Sequence, residues 1–194
     1  MVGNLRVPAA ALPLCVLMAS ACSQPPSRSA SAGATPHYDP ETRKLERVTF
    51  DRNGDGRVDA TTFMDGALVI QAELDENFDG TIDRREYYGR RPGAGTGAAT
   101  AVLERAEVST TADGRITRWE RYENGLLRHV EEDTDEDGRV DKWETWEDGS
   151  LSIVALDTTG TGRPDRRLIY PAEGGEPRLE VDFDSTQATS PSGR

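Results

Sequence analysis

The sequence predicts an all-β chain, an antiparallel β-hairpin repeat meander with acidic loops between its strands, and three observations carry this. Acidic, glycine-containing loops begin at Asp51, Asp75, Ser109, Asp133 and Asp157, at offsets of 24, 34, 24 and 24 residues. The chain is therefore a repeat of period 24 with one insertion. The dipeptides Asp65-Gly66, Asn124-Gly125 and Asp148-Gly149 supply the positive φ angles that two-residue hairpin turns require. Between loop and turn lie an aliphatic column, Val58, Ile82, Ile116 and Val140, broken by Pro164, and six residues further on a mostly aromatic column, Met64, Tyr88, Tyr122, Trp146 and Tyr170. An even spacing places both columns on one side of a strand. Two strands per repeat imply about ten strands in an open, twisted sheet, since repeats of this kind are stable only when stacked.

Taken in order, residues 1–21 carry one basic residue, Arg6, then an apolar run from Val7 to Met18 and the small residues Ala19, Ser20 and Ala21. This is the layout of a secretory signal, too short for a stable membrane span. The small residues before Cys22 resemble the processing box of bacterial lipoproteins, which implies that Cys22 is acylated as the first mature residue and that, with Ser23 next, the protein is sorted to the outer membrane. Ala19 and Ala21 also form an AxA site, so ordinary signal cleavage is the alternative reading. The other cysteine, Cys15, would leave with the signal, and one unpaired thiol in an exported protein is best explained by lipidation. Residues 22–44 read as the lipidated cysteine and a disordered Ser/Ala/Pro tether. A coil of about 18 residues, from Ser23 to Pro40, reaches roughly 25 Å. The repeat domain occupies 45–184, with a Gly/Ala-rich insertion at 89–100 read as a long loop; Leu126 to Glu131 and Leu151 to Leu156 are return strands, and Arg178 to Phe183 is the closing edge strand. Residues 185–194 read as a disordered tail.

The loops carry the chemistry. Asp133 to Glu144 reads DTDEDGRVDKWE, with carboxylates at its first, third, fifth, ninth and twelfth positions and glycine at the sixth. A hard divalent cation takes six to eight oxygens, and alternate acidic side chains supply several from one turn. The dodecamer resembles the loop of an EF-hand. The resemblance implies that Asp133, Asp135 and Asp137 are near ligands, that Arg139 contributes its carbonyl, that Asp141 binds directly or through water, and that Glu144 closes the shell with both oxygens. Asp75, Asn77, Asp79, Thr81, Asp83 and Glu86 match in the same places. Asp51, Asn53, Asp55, Arg57 and Asp59 form a third copy that ends in Thr62 and so lacks the bidentate carboxylate; weaker binding is expected there. The loops at Ser109 (with Thr111, Asp113, Gly114, Thr117 and Glu120) and at Asp157 (with Thr159, Thr161, Gly162 and Asp165) read as turns that keep the shape and have mostly lost the charge. An EF-hand proper has helices on both sides of its loop, so all-α EF-hand pairs are the alternative fold. The short segments, glycine turns and β-branched content favour strands.

With 23 Lys plus Arg against 35 Asp plus Glu, a net charge of −12 and 35% hydrophobic residues, the chain offers no basic stripe for nucleic acid and only a modest core. Two histidines, His37 and His129, and no GxSxG, phosphate-binding glycine loop or HExxH helix argue against an enzyme. Trp119 and Trp143 share a column on the other sheet face, either as cladding or as a sugar-stacking ridge. The function these features predict is that of a calcium-binding, membrane-anchored cell-envelope lipoprotein whose repeat domain is stabilised by Ca2+ and has a structural or binding role. The alternatives are a surface adhesin or glycan-binding module, with a protein or glycan partner, and a helical calcium sensor. A sensor would need a methionine-rich groove, and only Met64 among the three methionines lies outside the signal.

Overall fold

Asn124 and Gly125 have φ of 55° and 78°, and Asp148 and Gly149 have 48° and 82°, the double positive-φ turn whose twist matches that of paired strands. Such turns fold the chain back on itself in the third and fourth repeats. In the computed structural model, which describes residues 33–92 and 99–181, the result is twelve strands and no helix among the described residues. They are β1 (Ala34–Tyr38), β2 (Leu45–Phe50), β3 (Ala60–Asp65), β4 (Leu68–Leu74), β5 (Arg84–Pro92) and β6 (Ala99–Val108). The second half comprises β7 (Arg118–Glu123), β8 (Leu126–Glu132), β9 (Lys142–Glu147), β10 (Ser150–Leu156), β11 (Arg166–Ile169) and β12 (Arg178–Val181). Spatial order equals chain order, and every neighbouring pair is antiparallel. The sheet is thus the expected hairpin meander. EF-hand helices are ruled out, because both flanks of every acidic loop are strands.

Several boundaries differ from expectation. Ala34–Tyr38 lies in the segment read as tether, yet it pairs with β2 from Ala34↔Phe50 to Tyr38↔Leu45. An edge strand needs only backbone partners, so the absence of an apolar pattern did not prevent it. Asp39 holds the turn by accepting from Glu41 N (2.9 Å) and from the Thr42 hydroxyl (2.9 Å), and His37 Nε2 meets Thr49 Oγ1 at 3.0 Å. The turn expected at Asp65-Gly66 is centred one residue later, on Gly66 and Ala67, with Asp65 paired to Leu68. The insertion lengthens β5 and β6 into the longest hairpin, its residues 93–98 lying outside the described residues. Residues 1–21, read as a signal, Cys22, Phe183 and residues 185–194, read as a tail, also lie outside them. The aliphatic column precedes the strands instead of lining a core, and Val58 is 54% exposed.

Each of β2, β4, β6, β8 and β10 carries one extra residue, and β12 carries none: Glu46, Ile70, Glu104, Arg128 and Ser152 fall between register steps. Such bulges increase the local right-handed twist, and these recur at the same offsets as the loops, so the twist is renewed once per repeat.

The sheet is a single layer, in which buried apolar residues are confined to Ala60, Ala106, Val130, Val154 and Ala155 among the described residues. One face replaces a core with an ionic row. Register places Glu86, Glu120 and Glu144 in line with Ala72, Ala106, Val130 and Val154, small neighbours that leave room for charged side chains. Glu120 accepts from Arg84 Nη2 at 2.9 Å, Arg118 Nε at 2.9 Å and the Tyr122 hydroxyl at 2.8 Å. Arg118 Nη1 and Lys142 Nζ both donate to Glu132, at 2.9 and 3.1 Å. Burial pushes the Glu120 carboxyl up, but the Tyr122 hydroxyl and the Arg118 and Arg84 guanidinium groups outweigh it and hold it below the ordinary value. Burial and the adjacent Glu86 push the Tyr88 hydroxyl up to about 12.

Because the folded value of Glu120 is depressed, its contribution is complete above about pH 4.5 and is lost as the pH falls through the lower folded value. Glu120→Ala, which leaves two half-buried guanidinium groups short of a partner, will cost about 3 kcal/mol in urea unfolding at pH 7. Glu120→Gln will flatten the pH dependence of stability below pH 4.5. An unchanged acid profile would show that this carboxylate is not coupled to folding.

Candidate metal centre

Five loops stand at one end of the sheet, joining β2 to β3, β4 to β5, β6 to β7, β8 to β9 and β10 to β11. They share one backbone shape. The fourth residue of each, Gly54, Phe78, Ala112, Glu136 and Gly160, has positive φ (78°, 65°, 56°, 61° and 70°). So does the sixth, Gly56, Gly80, Gly114, Gly138 and Gly162 (89°, 98°, 83°, 93° and 77°). The ninth residue's N–H donates to the carbonyl just before the loop, as in Asp59 to Phe50 (2.8 Å) and Asp141 to Glu132 (3.0 Å).

Most loop carboxylates are used to hold this shape. The first residue accepts from the sixth N–H: Asp51 from Gly56 at 2.9 Å, Asp75 from Gly80 at 2.8 Å, Asp133 from Gly138 at 2.9 Å. In the third loop the hydroxyl of Ser109 does the same for Gly114 at 3.1 Å. The fifth residue accepts from the seventh N–H: Asp55 from Arg57 at 2.8 Å, Asp79 from Thr81 at 2.7 Å, Asp113 from Arg115 at 2.8 Å, Asp137 from Arg139 at 2.8 Å. These bonds help to hold Asp55, Asp79 and Asp113 below the ordinary carboxylate value; for Asp79 the Asn77 amide is the larger cause. The ninth residue accepts from the second N–H, as Asp59 from Arg52 (2.7 Å) and Asp83 from Glu76 (2.8 Å), and Thr117 substitutes its hydroxyl toward Thr110 N (3.3 Å). Of the two loops read as having mostly lost their charge, the one at Ser109 keeps the shape by exchanging carboxylate for hydroxyl at its first and ninth positions, and the one at Asp157 keeps it with the carboxylates of Asp157 and Asp165.

Two oxygens are left over. Asp133 Oδ1 and Asp83 Oδ1 are buried without a hydrogen-bond partner, in residues only 3% and 1% exposed. They belong to the two loops with the fullest sequence match. An unpartnered buried carboxylate oxygen is costly and fits a site meant for a positive partner. In the fourth loop ligand oxygens of Asp133, Asp135 and Asp141 lie within 4.8 Å of one another, so these residues could hold a metal ion. Thr134, through its N–H and hydroxyl, donates to Asp141 at 2.9–3.2 Å and orients it. In the first two loops the third residue is an amide, and its Nδ2 donates into the fifth: Asn77 to Asp79 at 2.8 Å, Asn53 to Asp55 at 3.2 Å. The amide thus donates to the fifth carboxylate at the place where the fourth loop has a second carboxylate, Asp135. Asp51 has both oxygens engaged, by Gly54 and Asp55 N on one and Gly56 N on the other.

The twelfth residue has a different part from the expected one. Glu144 sits in β9, where its carboxylate meets Lys142 Nζ at 2.8 Å and Trp146 Nε1 at 3.0 Å. Glu86, in β5, meets Arg84 Nε at 2.8 Å and the Tyr88 hydroxyl at 2.6 Å. Both belong to the ionic row of the sheet, not to the Asp133 cluster. The reason is the strand: it begins before the twelfth residue, and its pleat turns that side chain onto the sheet face.

Contacts between loops were not foreseen. Arg57 Nη2 donates to the Phe78 carbonyl (3.3 Å), Asn77 Nδ2 to Ala112 (3.2 Å) and Arg115 Nη2 to Glu136 (2.6 Å), each reaching the fourth residue of the next loop. Backbone bonds join the loops too, with Asp75 N to Asp59 O at 2.7 Å and Asp157 N to Asp141 O at 2.8 Å. The sequence signal was present in the arginines at the seventh place, Arg57, Arg115, Arg139 and Arg163. Trp119 and Trp143 lie, as expected, in one row on the other face, both half-buried and separated by Glu131.

Ala112 adopts a left-handed backbone that glycine reaches without strain. Ala112→Gly will therefore stabilise the fold by about 1 kcal/mol. Gly114→Ala will destabilise it, because a Cβ there meets Thr81 Cγ2 at 2.3 Å; thermal melts of both variants check the loop shape, and a loss of stability in Ala112→Gly would refute it. Compared with known proteins, the chain matches no family model and no curated relative.

Proposed function

We propose that the chain is a calcium-binding repeat domain of the cell envelope, anchored to a membrane through lipidated Cys22, in which Ca2+ stabilises the loop end of the sheet. The observation that carries this reading is the buried, unpartnered Asp133 Oδ1 on a residue whose carboxylate converges with those of Asp135 and Asp141. The donor set supports calcium over a transition metal: it consists of hard oxygens, and the loops contain no histidine or cysteine. Bound there, the ion would offset the mutual repulsion of the carboxylates and favour the folded state by mass action. Asp133, Asp135 and Asp141 are the primary ligands. Asp75, Asp79 and Asp83, with Asn77, form a second, weaker site. Extracellular modules of this kind bind with Kd of about 10⁻⁴ to 10⁻³ M, which suits a standing structural ion.

A glycan-binding module is the second reading. It is favoured by an open groove of about 500 Å3 beside Trp119, where Arg105, Glu107, Arg121 and Glu131 also line the wall. Binding of sugars that is lost in Trp119→Ala and unaffected by chelator would support that function independently of the ion.

Thermal unfolding of the mature chain in calcium and in chelator tests the first reading. Calcium will raise Tm; Asp133→Ala will remove most of the increase, and Asp113→Ala will leave it. Equal effects of the two substitutions would sink the assignment. For the anchor, Cys22→Ala will move the protein from the membrane fraction to the soluble fraction, and a variant that stays on the membrane would overturn lipidation at that residue.

A further inference from the structure

With Glu144 turned onto the sheet, the fourth loop has three converging carboxylates and no bidentate residue to complete a shell of six to eight oxygens. What borders its open side is the next loop. A cavity of about 100 Å3 is walled by Asp135, Asp137 and Asp141 on one side and by Asp157, Thr158 and Gly160 on the other. The two walls are held in register by the bond from Asp157 N to Asp141 O, 2.8 Å long, and by β10, which pairs with both β9 and β11. At the first position of the fourth loop is the buried Asp133 with its unpartnered Oδ1.

We propose that the cation of the fourth loop is an inter-loop ion, ligated by Asp133, Asp135 and Asp141 and completed by oxygens of the fifth loop, with Asp157 taking the place of Glu144. The proposal rests on the calcium reading. Asp157 is 9% exposed; its Oδ1 accepts from Thr159 N and Oγ1, both at 3.1 Å, and its Oδ2 from Gly162 N at 2.5 Å, which leaves about one of a carboxylate's roughly four lone-pair sites for a cation. Arg139 also lines the cavity; it is exposed, so its guanidinium can turn to water as a cation enters. The assignment explains why the fifth loop keeps Asp157 while its third and fifth residues are Thr159 and Thr161: it donates to its neighbour's ion instead of building its own site.

The test is calcium competition against terbium, read by luminescence sensitised by the nearby tryptophans, on the mature chain. Glu144→Gln will leave the calcium Kd within about twofold, and Asp157→Asn will weaken it about tenfold, as Asp133→Asn does. A strong loss in Glu144→Gln with none in Asp157→Asn would overturn the inter-loop ion while leaving calcium binding intact. An unmodified chain that binds no calcium would remove the calcium reading itself. Hydrogen exchange on the unmodified chain needs no variant: calcium will protect the amides of Thr159 and Gly162 together with that of Asp137. Protection confined to the fourth loop would refute the proposal.

Discussion

A buried carboxylate has to meet a donor, and this requirement organises both the sheet and its loops. In the sheet the donors are side chains. Arg84, Arg118 and Lys142 reach across to Glu86, Glu120, Glu132 and Glu144, with Tyr88, Tyr122 and Trp146 supplying the remaining hydrogens. In the loops the donors are backbone amides, aimed by a shared pair of left-handed positions. A single layer cannot hide charges under a second sheet, so it pairs them within one face. Truncating one partner is therefore worse than losing the bond, because it leaves the other charge half-buried.

The same side chains tie the repeats together. A quasi-one-dimensional array depends on nearest-neighbour interfaces, and here the interfaces of the third repeat with the second and the fourth have three parts: a ladder of antiparallel pairs, the ionic row, and contacts from one loop to the next. The bulges at Glu46, Ile70, Glu104, Arg128 and Ser152 keep in phase with the loops. Regular twist lets Arg57, Asn77 and Arg115 each find the fourth residue of the following loop.

The loops also show how one local motif serves a different architecture. Between helices, a glutamate at the twelfth position can return to the ion; here a strand begins before it, and the pleat carries it to the sheet. In the proposed inter-loop site, its place would be taken by Asp157 of the adjacent loop, which the backbone bond from Asp157 N to Asp141 O sets beside the fourth loop. The end loops, with Thr62 and Leu168 at the twelfth place, lose their part in the ionic row.

The sequence by itself determined the period, the hairpins and the shape of the loops, because these depend on local φ preferences and on a repeat visible without any partner. Gly56, Gly80, Gly114, Gly138 and Gly162 mark the left-handed sixth position, and Asn124-Gly125 marks its turn. It also placed Asp133, Asp135 and Asp141 in one ligand set with Asp137, Arg139 and Glu144, and of these the first three converge. Tertiary structure decided the rest. Glu86 and Glu144 look like ligands in a dodecamer, but whether a carboxylate faces an ion or a guanidinium depends on cross-strand register; the Arg84 to Glu120 contact spans 36 residues. β1 was hidden because an edge strand takes its stability from the backbone of β2 and needs no pattern of its own. The Asp135–Asp157 cavity was hidden for a related reason: two loops a full repeat apart become neighbours only when the strands between them pair.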